Sequence, residues 1–319
     1  MTNDERIKYY MGRWYDEKII LKKEDFTQSL DCRGICFVEK SMLLESLDYK
    51  SEYKKELYTY FTDDGNYLVA LGDIKLDIKA IKKQTNSKLN DIPILTKASW
   101  AGERRMGILL KLTLPRHWTT KCHVAMSKGK DILWNDKIDD IIWRGGPTTI
   151  DHLHIKRPLD EMDNSSPRAN FIRLYYKDYN VGFHKMRPYA HDSWHVLLKD
   201  KASSEDQFKY KYLVSLEGND VASGLKWQLL SNSVVIMAPP TKISWAMEDT
   251  LIPYEHYVPL NPSLDNLEEI LQWCKENDDA CQKIAKQATQ YMQQFNDKKN
   301  EKLITDSIIK RYEENVTFI

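Results

Sequence analysis

The sequence predicts an α/β protein of two domains, with a parallel sheet in the second. Three observations point there. The chain has 319 residues, 42% of them hydrophobic and 11% aromatic, enough for two cores at roughly 100 to 200 residues per domain. Strand-like and helix-like stretches alternate regularly after Lys137, the rhythm of βαβ units. Residues 127–140 (SKGKDILWNDKIDD) turn polar and charged, which places a domain crossing near Lys137, between residues 1–137 and 138–319.

In the first domain, residues 42–57 have helical character, and 67–71 form a short apolar strand closed by Gly72 and Asp73. Stretches 92–95, 107–114 and 124–126 are further strand candidates. In the second domain, a strand at 138–143 leads through a Gly/Pro/Thr loop to a helix at 169–176 and a strand at 181–184. Strand 212–216, helix 221–230, strand 233–237, helix 244–251 and strand 257–260 follow, with helices over 264–295. The helix after Pro262 has the clearest pattern. Leu264, Leu267, Ile270, Leu271 and Cys274 recur at helical spacing, Ser263 is available as N-cap, and Asp265, Glu268, Glu269 and Lys275 make a solvated face. The run DKKNEKL at 297–303 reads as an exposed break before a last amphipathic helix.

Charge narrows the partners. With 47 Lys+Arg against 47 Asp+Glu there is no basic field for phosphate backbones, so nucleic acid is not expected as the main partner. No early apolar run makes a signal peptide, and no stretch nears the roughly 18 apolar residues of a membrane span. The expectation is a cytoplasmic protein. Five cysteines, Cys32, Cys36, Cys122, Cys274 and Cys281, are an odd number and read as reduced, structural thiols. Cys274 and Cys281, seven apart in an apparent helix, would be separated by about 10 Å along its axis.

Two loops could carry chemistry, because open parallel sheets bind ligands beyond the carboxyl ends of their strands. WRGGPTT, residues 143–149, follows an apolar strand: glycines admit a close backbone approach, Arg144 can fork onto phosphate, and threonines such as Thr148 add hydroxyls. The plainer reading is a tight turn with Arg144 in a domain ion pair. In residues 215–237 a strand turns through Gly218 into a helix capped by Asn219 or Asp220, with Ser223 and Lys226 in its first turns. An ordinary βαβ turn is the competing description. There is no CxxC, HExxH or GxSxG; His152 and His154 would share a strand face without a second pair. No metal site is expected. Nine Trp and eighteen Tyr, Trp100 and Trp118 among them, suit sugar stacking but more often pack cores.

The stretch KYKYLVSLEGNDVASGLKWQLLSNSVVIM, followed by SWAMEDTLIPYEHYVPL and NLEEILQWCKENDDACQKIAKQA, resembles the C-terminal half of glycosyltransferase family 90. That family includes fungal capsule-associated xylosyltransferases and animal protein O-glucosyltransferases. The WRGG loop resembles its aromatic-Arg-Gly motif, and Arg168 in SSPRANFIRLYY the arginine that follows. The likeness runs from about Ile92 to Gln290, and its specificity lies in the ordered series.

The resemblance implies a GT-B fold, two Rossmann-like domains facing a central cleft, with the C-terminal helix packing back on the N-terminal domain. It implies an inverting transfer of xylose or glucose from UDP-xylose or UDP-glucose to a glycan or glycosylated acceptor, with no metal or cofactor required. Diphosphate contacts would fall to Arg144, Gly145, Thr148, Arg168, Gly218, Asn219, Asp220, Val221, Ala222, Ser223 and Lys226, with Glu248 on the ribose hydroxyls. Animal relatives carry an Arg within the motif matching SGLKW, where Leu225 stands here beside Lys226. The family's base follows a Lys in a segment resembling IPILTKASWAGERR, and counting from Lys97 reaches Glu103, with Asp73 and Asp91 as alternatives. A non-catalytic carbohydrate or nucleotide-sugar binding protein of the same fold is the competing function, and oligomeric state is open.

Overall fold

The computed structural model describes residues 1–26, 35–44, 51–70, 92–102, 105, 107–113, 131–150, 153–162 and 166–319. Among them the strands are β1 Ile19–Leu21, β2 Cys36–Glu39, β3 Asn66–Ala70, β4 Leu95–Thr96, β5 Ala98–Trp100, β6 Ile108–Leu109, β7 Ile138–Gly145, β8 Asn180–Phe183, β9 Tyr210–Val214, β10 Val234–Met237, β11 Lys242–Ser244, β12 Val258–Pro259 and β13 Val316–Phe318. The protein is α/β, and it divides into two compact units. One comprises Met1–Pro115, Thr241–Asp249 and Phe295–Ile319; the other Arg116–Pro240 and Thr250–Gln294. Residues 114–130, with the expected strand at 124–126, the start of the polar crossing at 127–130, Trp118 and Cys122, lie outside the described residues, as does Cys32.

The first unit has a four-stranded sheet in the order β2-β3-β4-β6, antiparallel between β2 and β3 and parallel thereafter. Phe37, Leu68, Ala70, Ile92 and Ile94 build its core. Beside it β1 and β13 pair in parallel, Ile19 opposite Val316. The helix Asn3–Met11 opens with a capping box between Thr2 and Glu5, and helix Lys298–Asn315 with Asp297, whose Oδ1 accepts from the amides of Lys299 and Asn300. That helix buries Glu301, Ile304, Thr305, Ile308 and Tyr312 on one face, so the polar run at 297–303 is its cap and first residues, and the break between the helices lies at 294–297.

A buried ion network ties this unit together. Arg6 Nη1 meets Glu301 Oε1 at 2.6 Å, and Lys111 Nζ meets Glu301 Oε2 at 2.8 Å while also donating to the carbonyl of Phe295. Burial pulls Arg6 down, and Glu301 and Tyr10 together more than restore it; burial wins at Lys111, which lies below its ordinary value.

The second unit has a five-stranded, wholly parallel sheet in the order β12-β10-β9-β7-β8. Its strands read as near-continuous apolar runs because both faces are covered. Ile141, Trp143, Val181, Phe183, Tyr212, Val214 and Ile236 face a core shared with helices Pro167–Tyr175, Leu267–Glu276 and Asp278–Gln293. The opposite face packs Ile142, Phe208 and Leu213 together.

Several expectations change in detail. The helix expected at 244–251 is instead strand β11, paired antiparallel with β5, and a single 3-10 turn at Glu248–Thr250. Met247 sits at φ 52, which a helix cannot accommodate, and the Glu248 carboxylate caps the turn by accepting from Ser244. The helix expected at 221–230 shrinks to Leu225–Leu229, because Asp220 draws the preceding chain into a bend: its carbonyl accepts from Gly218 N and its side chain from Val221 N. Ser263 is not the cap of helix Leu267–Glu276; its hydroxyl donates to Asp265, Leu264 turns at φ 62, and Asn266 precedes the first turn. Asn277 interrupts what read as one helix at Cys274 and Cys281, so the Cys281 thiol lies 3.8 Å from the Cys274 carbonyl oxygen; both are buried and free.

Candidate functional site

The carboxyl ends of β7 and β9 are neighbours in the sheet, and the loops leaving them converge on Arg168. This arginine is the second residue of helix Pro167–Tyr175, which starts there because Pro167 suits a first turn and Ser166 Oγ accepts the amide of Ala169. Ser166 is held in turn by the hydroxyl of Thr149, 3.1 Å away. From that position Arg168 Nε donates to the carbonyl of Glu217 at 2.9 Å and Nη2 to that of Leu216 at 2.7 Å. Nη1 donates to Thr148 Oγ1 at 2.5 Å and, more weakly, to the Gly146 carbonyl at 3.3 Å. The guanidinium also lies 5.6 Å over the ring of Trp143.

All of these partners are neutral. Arg168 forms no ion pair with a carboxylate among the described residues. Burial pushes its pKa down to about 10, with the Glu217 charge only partly opposing. A desolvated cation held only by carbonyls and a hydroxyl keeps attraction in reserve for an anion.

Glycines shape the space around it. A Cβ on Gly218 would lie 2.8 Å from Thr148 Oγ1 and 3.0 Å from Arg168 Nη2, so only glycine leaves that approach open. Gly145 is needed for another reason: its Cβ would strike the Trp143 indole at 2.4 Å. Gly145, Thr148, Arg168 and Gly218, named from sequence, are therefore brought to one place.

Other candidates lie elsewhere. Arg144 projects from the sheet face of Ile142, opposite to Trp143. Its guanidinium donates to the carbonyls of Trp143, Asn180 and Asp200 and to the Asn180 side chain. Lys226 is 2% exposed within helix Leu225–Leu229. With that helix so short, Asn219, Asp220, Val221, Ala222 and Ser223 form a loop of bends and turns, and no helix N-terminus stands at Gly218. Glu248 belongs to the first unit, 1% exposed, its two oxygens accepting from Ser244 N at 2.6 Å and Ser244 Oγ at 2.7 Å. Glu103, Asp73 and Asp91, the three candidate bases, lie outside the described residues, as does His152. Trp100 lies under the Lys242 ammonium, 5.3 Å from its ring centre.

Sequence reasoning missed two polar groups at the end of β9. Ser215 Oγ and Gln228 Oε1 are buried and without a hydrogen-bond partner among the described residues, although Gln228 Nε2 donates to the carbonyl of Val214 at 3.1 Å. Ser215 stands beside Gly218 in the same strand-loop junction, a signal available in the sequence; nothing marks Gln228 before the fold is known.

The chain is similar to several known proteins. Protein O-glucosyltransferase 3 of Homo sapiens is 39% identical over 242 residues, covering 70% of this chain and 42% of that protein. O-glucosyltransferase LpsA of Dichelobacter nodosus is 38% identical over 110 residues, covering 34% of this chain and 35% of that protein. Uncharacterized protein 035R of Invertebrate iridescent virus 3 is 27% identical over 174 residues, 52% of this chain and 16% of that protein. The chain thus matches between 16% and 42% of the length of these three relatives. The family model for glycosyl transferase family 90 matches residues 109–314, more than half of the sequence, and the chain belongs to that family.

Proposed function

We propose that the protein is an inverting, metal-independent glycosyltransferase of the GT-B type that moves glucose or xylose from a UDP-sugar to a hydroxyl of a glycan or glycosylated acceptor. The observation that carries this reading is Arg168, a guanidinium with only neutral partners among the described residues, beside a glycine that leaves its Nη2 approachable. A pyrophosphate supplies the missing anion. As the bond to the sugar breaks, negative charge grows on UDP, and a preorganised cation with the Thr148 hydroxyl stabilises that charge more than it stabilises the ground state.

Inversion requires a carboxylate to take the acceptor proton while the hydroxyl attacks the anomeric carbon from the face opposite UDP. Glu103 is our candidate, with Asp73 and Asp91 as alternatives. Buried and without a hydrogen-bond partner among the described residues, Ser215 Oγ and Gln228 Oε1 offer a donor and an acceptor for ligand hydroxyls. Arg144, occupied by β8 and Asp200, steadies the loop after β7 from its far side. Two of the relatives are named O-glucosyltransferases, which favours glucose over xylose as the sugar.

The test is a thermal-shift titration with UDP in the presence of a chelator. The melting temperature rises with UDP concentration, as for any ligand that binds only the folded state. No shift in the wild-type protein refutes the reading. Mass spectrometry for UDP release and product, with UDP-glucose and UDP-xylose side by side, then identifies the donor and separates a transferase from a binding protein.

A further inference from the structure

We propose that Lys185 is a second cation for the donor diphosphate, standing beside the same Gly145–Gly146 turn that Arg168 holds; this rests on the reading above. The other basic residues named for the site are committed within the protein. Arg144 donates to three carbonyls and an amide oxygen, Arg168 to four oxygens, and Lys226 is buried. Lys185 is exposed and makes no hydrogen bond or ion pair among the described residues.

Its position follows from the sheet. β7 and β8 are parallel with Gly145 opposite Phe183, and the pairing extends one step further, the amide of His184 donating to the Gly145 carbonyl at 3.1 Å. Lys185 is the next residue, alongside Gly146. A Cβ built on Gly146 would lie 3.6 Å from Lys185 Cε, so the lysine stem passes across the open side of a glycine whose carbonyl accepts from Arg168 Nη1. Gly146 does not have positive φ, so its backbone does not demand glycine. The empty side chain instead leaves room for the lysine stem beside the turn.

The chemistry needs both. A nucleoside diphosphate presents two charged phosphoryl groups, whereas Arg168 has already spent most of its five N–H groups on protein oxygens. An ammonium is a compact charge on a flexible stem, suited to meet the phosphoryl group that a rigid fork cannot reach. Local charge agrees: His184 is held below its ordinary value by burial first and then by the neighbouring Lys185 and Lys201, a positive field that a bound diphosphate would relieve.

Calorimetric titration of wild type, Lys185→Ala and Lys185→Arg with UDP, and competition of each by uridine, tests this. Lys185→Ala weakens UDP about tenfold, the size of one charge-assisted hydrogen bond, and leaves uridine unchanged. Lys185→Arg recovers most of the affinity. Equal UDP affinity in wild type and Lys185→Ala overturns this proposal alone, as does a loss that falls equally on uridine. Failure of the wild type to bind UDP overturns the functional reading and this proposal with it. Lys185 is exposed, so its side chain adds little to folding and the alanine variant remains a fair test.

Discussion

The two units face the same electrostatic problem and answer it differently. In the first, Arg6 and Lys111 are matched by one carboxylate, Glu301, at 2.6 and 2.8 Å. In the second, Lys137 is matched by Asp131 at 2.5 Å, yet Arg168 has only carbonyls and a hydroxyl. Charge that is neutralised within the chain serves the fold. Charge left without a counterion among the described residues, in the same unit that pairs Lys137, is what the proposed anionic donor would meet. Desolvation costs both kinds of site, but only the second recovers that cost when a ligand arrives.

Substitutions sharpen the contrast, beginning with the largest effect. Glu301→Gln strands two shielded cations, and denaturant unfolding should show a loss of about 3–5 kcal/mol. Equal stability of wild type and variant would mean that Arg6 and Lys111 find other partners. Arg168→Met, similar in length and apolar, should do the reverse: unfolding is unchanged or shifts to higher denaturant, while UDP affinity falls about a hundredfold or more. If that variant unfolds early and still binds UDP, Arg168 is a structural strut and the comparison fails. Gly218→Ala adds a methyl group 2.8 Å from Thr148 Oγ1 and 3.0 Å from Arg168 Nη2. It should weaken UDP about tenfold, with little change in melting temperature.

The smallest effect is one of pH. Glu56, on helix Ser51–Tyr60, is pushed up to about 7 by burial, against the opposing Thr113 amide and Lys111. A carboxyl raised above its unfolded value favours the protonated form in the folded state. Its contribution is therefore intact at low pH and is lost as pH rises from the ordinary carboxylate range through about 7. Glu56→Gln should match wild type in melting temperature at pH 5 and exceed it by several degrees at pH 8. Parallel curves across that range would show that Glu56 titrates normally.

The parallel sheet was legible because central strands covered on both faces read as apolar runs, as VVIM at β10 and the run through β7 do. Legibility failed where a local side chain overrides periodicity. Residues 244–251 have helical composition, but Glu248 folds back on Ser244 and Met247 takes a left-handed conformation, neither of which a spacing rule detects. The same holds at Asp220, which cuts the expected helix to five residues. WRGG and EGND mark the ends of β7 and β9, whose loops meet at Arg168, yet alternation along β7 decides that Trp143 faces Arg168 and Arg144 faces away. Gln228 and Lys185 carry no sequence signal, since a glutamine in a helix and a lysine after a strand are commonplace until neighbours are known.

Because β1 lies against β13, and the first unit takes in Phe295–Ile319, this unit cannot close when its early residues leave the ribosome. Its hydrophobic surface waits until synthesis has passed through everything else. The parallel sheet, complete once residue 259 has been made, has all its strands first. Birth order is thus inverted between the two units: the one whose residues are begun first matures after the other, and that interval is when chaperones would find the most to hold.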